Sequence, residues 1–309
     1  MSLLVTGASG HLGSCLTRRL VEHGEEVAVM VRAESDLWRL ADVADRVRVV
    51  RAGLDDVVAA RRAVAELRPE TVFHLAWGGV AGDSRDDPSQ VTSNVAGSLR
   101  LFEAAREHGC RCWVGVGSQA EYGPYGGALR EDLPARPQTV YGVSKLCVAL
   151  LTQQLCRLAG VRFVWLRLLA SYGPKDDRRR LIPSIIDRLL RGERPALTPG
   201  EQKWDYLYVD DAAEAIHLAA RRPEASGVYN LGSGEAHAVR SIAERVRDLV
   251  DPSLPLGIGE LAYRPGQLMH LQADITKLRA ATGWRPRTTL DEGLRRTVAW
   301  HRSNVNQSG

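Results

Sequence analysis

Cysteine is sparse and unpaired in this chain. The five thiols, at positions 15, 110, 112, 147 and 156, are odd in number and form no C-x-x-C pair, which argues against a disulfide framework or a structural zinc site. Lysine is scarcer still, at 145, 175, 203 and 277 only, so the net charge of +4 is carried by arginine. Its densest run, Arg178-Arg179-Arg180, reads as a solvated loop. No concentrated basic stripe exists, which excludes the footprint of a nucleic-acid partner. No stretch approaches the ~20 apolar residues that span a bilayer. No basic-then-apolar leader precedes the first apolar run, so a cytoplasmic protein without a membrane partner is expected. Internal repeats and low-complexity tracts are also missing, and the last residues, SNVNQSG, are expected to fray.

What remains is ordinary globular material: 309 residues, 44% apolar and 25% charged, enough for one large domain or two smaller ones. Near the start, VTGASGHLG (5 to 13) sets Gly7, Gly10 and Gly13 directly behind the apolar run Leu3-Leu4-Val5 and ahead of a helical pattern from Leu12 to Val21. A strand-to-helix corner of this kind binds phosphates. One glycine permits the turn, one lets backbone approach a pyrophosphate, and one lets helix pack on strand at the anion-favouring helix N-terminus. Apolar runs at 26 to 31, 46 to 50, 71 to 77, 112 to 117 and 161 to 168 then alternate with helical stretches Val57 to Leu67, Val91 to His108 and Val140 to Leu158. This alternation predicts a doubly wound α/β fold with a parallel sheet and its ligands beyond the carboxyl ends of the strands.

From about residue 181 the texture changes, with prolines at 183, 195 and 199, a short strand at Asp205 to Val209, a helix at Ala212 to Ala220, and GVYNLG at 227 to 232. A helix near Ser241 to Val250 and an amphipathic helix at Leu290 to Arg302 close the chain. The division expected is a Rossmann domain over 1–170 and a smaller substrate-binding α/β part over 171–309, partly interleaved with it. Position 32, just after the second strand, is arginine, and no carboxylate occurs from Met30 to Ala33. An acid there holds an adenosine ribose, whereas an arginine accommodates a 2′-phosphate, so NADP(H) is favoured over NAD(H).

TVYGVSK (139 to 145) sets Tyr141 and Lys145 four apart at the start of a helix, on one face. A phenol is a poor acid-base group at neutral pH, and a nearby ammonium makes it more acidic. Ser118, at the end of the fifth strand, is placed to hydrogen-bond the substrate oxygen that exchanges a proton with Tyr141.

Taken in order, TGASGHLG, VFHLA, NVAGSLRLFEA, VGSQAEYG, YGVSK, SYGP, WDYLYVDDAAEAI and YNLGSGE resemble the extended short-chain dehydrogenase/reductase group of sugar-nucleotide epimerases, dehydratases and reductases, over nearly the whole chain. The resemblance implies Tyr141 as acid/base, Lys145 as its tuner and ribose anchor, and Ser118 as substrate hydrogen-bond donor. It implies cofactor contacts from Gly7, Ser9, Gly10, His11, Leu12, Gly13, Arg32, Leu75 and Ala76, and a supporting role for Asn94. The chain also departs from the pattern. Dehydratases carry Asp-Glu after the catalytic Ser or Thr, where Gln119 and Ala120 stand here, so dehydration is not expected. Glu121, one position on, is either a substitute acid or a loop glutamate. Ala170 and Trp204 replace an asparagine and an arginine that hold the substrate diphosphate, and Gln267 replaces an Asp. Lys203 beside that gap and Arg264 in YRPG are the cations left to serve, and Trp77 and Trp204 are candidates to stack on a sugar or base. The expected function is an NADPH-dependent 4-ketoreductase of a nucleotide-linked 4-keto-6-deoxy sugar. A C4-epimerase, a reductase of a non-nucleotide ketone, or a non-catalytic lookalike are the alternatives. The resemblance also implies a homodimer built on the helices at 91–108 and 140–158; no metal site is expected.

Overall fold

In the computed structural model, which describes residues 2–80 and 82–304, six strands and four helices alternate through the first half of the chain. They are β1 (Ser2–Thr6), α1 (His11–Glu22), β2 (Glu26–Val31), β3 (Arg48–Arg51), α2 (Val57–Leu67), β4 (Thr71–His74), α3 (Ala96–Glu107), β5 (Cys112–Ser118), α4 (Val140–Ala159) and β6 (Arg162–Leu168). All pair in parallel, and a seventh strand, Gly227–Leu231, adds to the outer edge of β6. The order outward from the middle is β1-β2-β3 on one side and β4-β5-β6 on the other. The direction of winding therefore reverses between β1 and β4, which opens a crevice at their carboxyl ends. Buried on both faces, these strands read as apolar runs: β1 and β2 bury Leu3, Leu4, Val5, Val27, Val29 and Val31.

The middle of the sheet is shaped by one large side chain. Trp165 on β6 lies flat against β5, and a Cβ on Gly115 or Gly117 would meet its indole at 2.3 Å and 2.2 Å. The two glycines of WVGVGS are thus the room that Trp165 occupies. Trp165 is fully buried and stacks on Phe163, with ring centroids 6.3 Å apart.

The second half supplies α5 (Leu181–Leu190), α6 (Val209–Arg221), α7 (Val239–Val250), α8 (Thr276–Thr282) and α9 (Leu290–Asn304), with short two- and three-residue strands between them. Helices α5, α7 and α9 share a separate core of Ile182, Ile185, Ile242, Val246, Leu294 and Val298. Helix α6 instead lies in the core of the first half, with Ala212, Ala213 and Ile216 packed alongside Leu16 and Leu20 of α1. Both α6 and the strand Gly227–Leu231 come from beyond residue 170 and complete the parallel sheet and one of its helix layers.

Three local differences from the sequence expectation have physical causes. Helix α6 starts at Val209 rather than 212, because Asp210 and Asp211 occupy its first turn and favour the positive helix end. Asp205 is no strand residue. It is fully buried and accepts hydrogen bonds from the amides of Ser233, Gly234 and Ala273 and from the Ser233 hydroxyl, at 2.6 to 3.1 Å. The helix expected from Val91 begins with a wider π turn over Gln90–Val95, a form that recurs at functional sites. The expected fraying of the tail falls, from residue 305 on, outside the described residues, while Ser303 and Asn304 are in α9.

Candidate active site

Two cavities meet at the carboxyl ends of β1 and β4. The first, about 570 Å³, is lined by Ser9, Arg32, Ala76 and Asn94 among others. The second, about 610 Å³, is lined by His11, Leu12, Gly13, Ser118, Gln119, Tyr141, Lys145, Trp204 and Arg264. Gly7, Gly10, Leu75 and Trp77 line both. A larger cleft of about 690 Å³ on α5, walled by Arg178, Arg188 and Leu261, contains none of the sequence-predicted residues.

The wall between the two cavities is backbone. Gly7 has a φ of +70°, and a Cβ there would lie 2.7 Å from the amide nitrogen of Ala76. A Cβ on Gly13 would meet the Gly7 carbonyl oxygen at 2.1 Å, so α1 starts this close to β1 only because residue 13 is glycine. The result is a helix N-terminus with free amides facing a trough that joins both cavities, which suits the bridging phosphates of a dinucleotide. Arg32 stands at the outer rim of the first cavity, 70% exposed, with its Nε 3.1 Å from Glu34 Oε1. The loop under it is held by Arg51, whose Nη1 donates to the carbonyls of Ala33 at 2.6 Å and Ser35 at 3.3 Å.

Beyond β4 the chain turns sharply at Trp77-Gly78-Gly79, and the π turn fixes that corner. Asn94 Oδ1 accepts the Gly78 amide at 2.9 Å, and its Nδ2 donates back to the Gly78 carbonyl at 3.0 Å. Gln90 donates to the Gly79 carbonyl at 2.7 Å and accepts the Trp77 indole N–H at 2.8 Å. Of the two supports expected of Asn94, the lysine or the backbone, these bonds are to the backbone of Gly78.

Trp77 is thereby presented to Tyr141 and Lys145. Lys145 Nζ sits 3.8 Å above its ring and donates to the Val116 carbonyl at 2.8 Å, while Tyr141 packs edge-on, with ring centroids 6.1 Å apart. Tyr141 and Lys145 project from the first turns of α4, whose N-cap Thr139 accepts the Gly142 amide at 3.1 Å. Both are buried, Tyr141 to 8% exposure and Lys145 to 5%. Burial pushes the phenol pKa above its ordinary value, and the nearby Ser118 hydroxyl and the Arg85 guanidinium pull it back. Burial also pushes the Lys145 ammonium down to about 7, opposed by Glu121. Arg85, 4.9 Å above the ring, and Arg180 are cations that lower the phenol pKa.

Glu121 requires a correction: it does not face the substrate cavity. It is fully buried under β5 and β6, accepting from Arg167 Nε at 2.7 Å, Trp165 Nε1 at 3.0 Å and the Ser118 amide at 2.8 Å. Arg167, itself 6% exposed, neutralises it. A carboxylate so committed is no general acid for substrate; it positions the Ser118 backbone. Lys203 is likewise corrected. It is exposed and does not line the cavity, because alternate residues of a short strand face opposite sides and Trp204 takes the inward one. Gln119 and Ala170 line the cavity; Gln267 is not among its walls and donates to the Leu268 carbonyl at 3.3 Å.

Three charged lining residues escaped the sequence reading. Arg85 follows a glycine-rich loop with no motif to mark it. Arg180 belongs to the run read as solvated, yet it lines the cavity beside Asp176, 3.5 Å away. Asp176 in turn faces His11 Nδ1 at 3.2 Å, and the other His11 nitrogen lies 3.1 Å from the Pro174 carbonyl. Burial raises the Asp176 carboxyl to about 6 and lowers the His11 imidazole to about 3.

The site therefore holds a helix start with free amides, the buried Tyr141 phenol beside Ser118, a buried ammonium, and three arginines around the second cavity. Among the described residues, no helix is long and apolar enough to cross a membrane. Comparison with known proteins agrees with this geometry. The chain is 29% identical to a dTDP-glucose 4,6-dehydratase of Escherichia coli, over 99% of this chain and 94% of that protein. It superposes on a UDP-glucose 4-epimerase of Thermus thermophilus in complex with NAD at a TM-score of 0.88 and 31% identity, covering 98% and 99% of the two chains. A UDP-glucose 4-epimerase of Thermotoga maritima with UDP-glucose gives a TM-score of 0.91 at 27% identity, covering 99% and 100%. Residues 3–232 match the NAD dependent epimerase/dehydratase family, and the chain is an enzyme of that family, within the extended short-chain dehydrogenase/reductases.

Proposed function

We propose that this enzyme is an NADP(H)-dependent 4-ketoreductase acting on a nucleotide-linked 4-keto-6-deoxy sugar. The observation that carries the reading is the proton inventory of the substrate cavity. Tyr141 with Ser118 is its proton-exchanging pair, while the positions where a dehydratase needs an acid and a base hold Gln119 and Ala120, Glu121 is consumed by Arg167, and Asp176 is held between His11 and Arg180. Arg32 at the adenosine rim, with no carboxylate at its own position, supports NADP(H) over the NAD of the family's name, because a guanidinium attracts a 2′-phosphate.

NADPH, when bound, supplies the hydride. The residues do the rest. The amides at the start of α1 face the pyrophosphate. Tyr141 donates its proton to the ketone oxygen as that oxygen gains charge, and Ser118 hydrogen-bonds the same atom, a combination of general-acid and electrostatic assistance. Lys145, where protonated, offers donors to the ribose edge and favours phenolate after the proton has left. Arg264 and Arg180 face the substrate diphosphate, the work that Trp204 cannot do. Trp77 and Trp204 offer flat apolar walls.

Incubation with NADPH and a 4-keto-6-deoxy nucleotide sugar tests the reading. One NADPH consumed per 4-hydroxy product supports it. Interconversion of 4-hydroxy epimers with no absorbance loss overturns it in favour of a C4-epimerase, the second reading, which the similarity to two UDP-glucose 4-epimerases favours. The proposal includes a homodimer. Val143, Leu150, Leu151 and Leu158 are exposed along α4, an apolar stripe on a face that no element covers among the described residues. A cytoplasmic location belongs to the same reading, in keeping with five free thiols.

A further inference from the structure

We propose that His23, Glu214 and His217 form a binding site for a divalent transition-metal ion on the outer helix layer, remote from both cavities and independent of the catalytic reading. His23 caps the C-terminal end of α1, and Glu214 and His217 lie one turn apart on α6, so i,i+3 spacing sets both on the face turned to α1. Glu214 Oε2 lies 3.7 Å from His23 Nε2 and 4.0 Å from His217 Nδ1. One donor atom from each residue falls within 4.8 Å of the others. A tetrahedral ion with ~2.1 Å bonds separates its donors by about 3.4 Å, so side-chain rotation alone closes the set.

The independent observation is His217. Its side chain is 7% exposed, and neither ring nitrogen has a hydrogen-bond partner, although buried polar atoms are normally satisfied. Its ring stands 4.4 Å from that of His23. An ion on Nδ1 gives the buried imidazole the partner it lacks. His23, with a side chain 42% exposed, gives the ion a route in from solvent.

Two imidazoles and one carboxylate select Zn²⁺, Ni²⁺ or Cu²⁺ over Mg²⁺ and Ca²⁺, which prefer all-oxygen shells. Three protein donors leave the remaining position to water. Arg19 is the competitor: its Nε donates to Glu214 Oε2 at 2.6 Å, and it already reaches Glu22 at 3.5 Å. Loading the site turns Arg19 from Glu214 to Glu22 and exchanges a salt bridge for a metal bridge between α1 and α6. Glu25 and Arg221 are the other charges that face His217.

The test uses the untagged full-length enzyme after chelator treatment, titrated calorimetrically with ZnCl₂, NiCl₂ and MgCl₂. The expected result is one saturable equivalent of Zn²⁺ or Ni²⁺ with none for Mg²⁺, and a Tm raised by roughly 3–5 °C at a hundredfold excess over Kd. Co²⁺ is expected to give the visible absorption of a low-coordinate site. His23→Ala, an exposed change that leaves the fold intact, is expected to weaken binding at least tenfold, whereas Arg19→Gln is expected to tighten it. The proposal is overturned if wild type binds no equivalent of Zn²⁺ or Ni²⁺, or if His23→Ala and Glu214→Gln both bind like wild type.

Discussion

The two cavities that meet at Gly7 are similar in volume and opposite in construction. The adenosine-side cavity is made mainly of backbone and small residues from the first 94 positions. The substrate-side cavity draws side chains from His11 through Arg264, across both halves of the chain. Binding a dinucleotide needs room and amides, which glycine spacing specifies locally. Selecting and protonating a substrate needs particular functional groups, which only the tertiary fold brings together.

Breaking one cavity at a time sharpens that contrast. The largest expected effect belongs to Tyr141→Phe, which removes the transferable proton and little volume: kcat should fall about 10²–10⁴-fold, with dinucleotide affinity by fluorescence titration unchanged. A parallel fall in affinity would mean that the phenol builds the cofactor side as well. Gly13→Ala reverses the pattern. Its Cβ would sit 2.1 Å from the Gly7 carbonyl, so dinucleotide affinity should drop at least about 100-fold and stability by roughly 1–3 kcal/mol, measured by titration and urea unfolding. Arg32→Glu acts on one rim contact worth roughly 1.5–3 kcal/mol. The ratio of kcat/KM for NADPH over NADH should therefore fall about 10- to 150-fold, and an unchanged ratio would detach Arg32 from cofactor choice.

The smallest effect concerns stability without ligand. Burial lowers the Lys145 pKa from 10.5 to about 7, so between these values the unfolded chain holds a proton that the folded one has lost. Stability linked to this group therefore rises with pH from about 7 toward 10.5, and below 7 the folded state carries a buried ammonium at full cost. Lys145→Met should raise Tm of the cofactor-free enzyme by a few degrees at pH 6.5, with the advantage shrinking toward pH 10. A pH-independent difference in Tm would mean that packing, not charge, sets it.

The legible and illegible residues divide along the same line. Gly7, Gly10 and Gly13 and the pair Tyr141 and Lys145 were readable because turn geometry and i,i+4 spacing are local. The helix Val57–Leu67 matched its apolar pattern to the residue. Glu121 was not readable, since its fate depends on Arg167, 46 positions away, and on glycines at 115 and 117 that let Trp165 reach it. Arg180 looked like one of three solvated arginines because nothing nearby in sequence reveals Asp176 or the cavity beside it. The π turn at Gln90–Val95 follows from partners at Gly78 and Gly79, contacts that periodicity does not encode.

One element of the fold bears on how the molecule can be made and taken apart. Because Gly227–Leu231 covers the free edge of β6, a fragment ending at residue 170 would carry an unprotected, apolar strand border prone to self-association. The first 170 residues are therefore no interchangeable cassette. During synthesis the ribosome must deliver some sixty residues beyond position 170 before that border can be sealed, so swaps between relatives are best spliced after position 231.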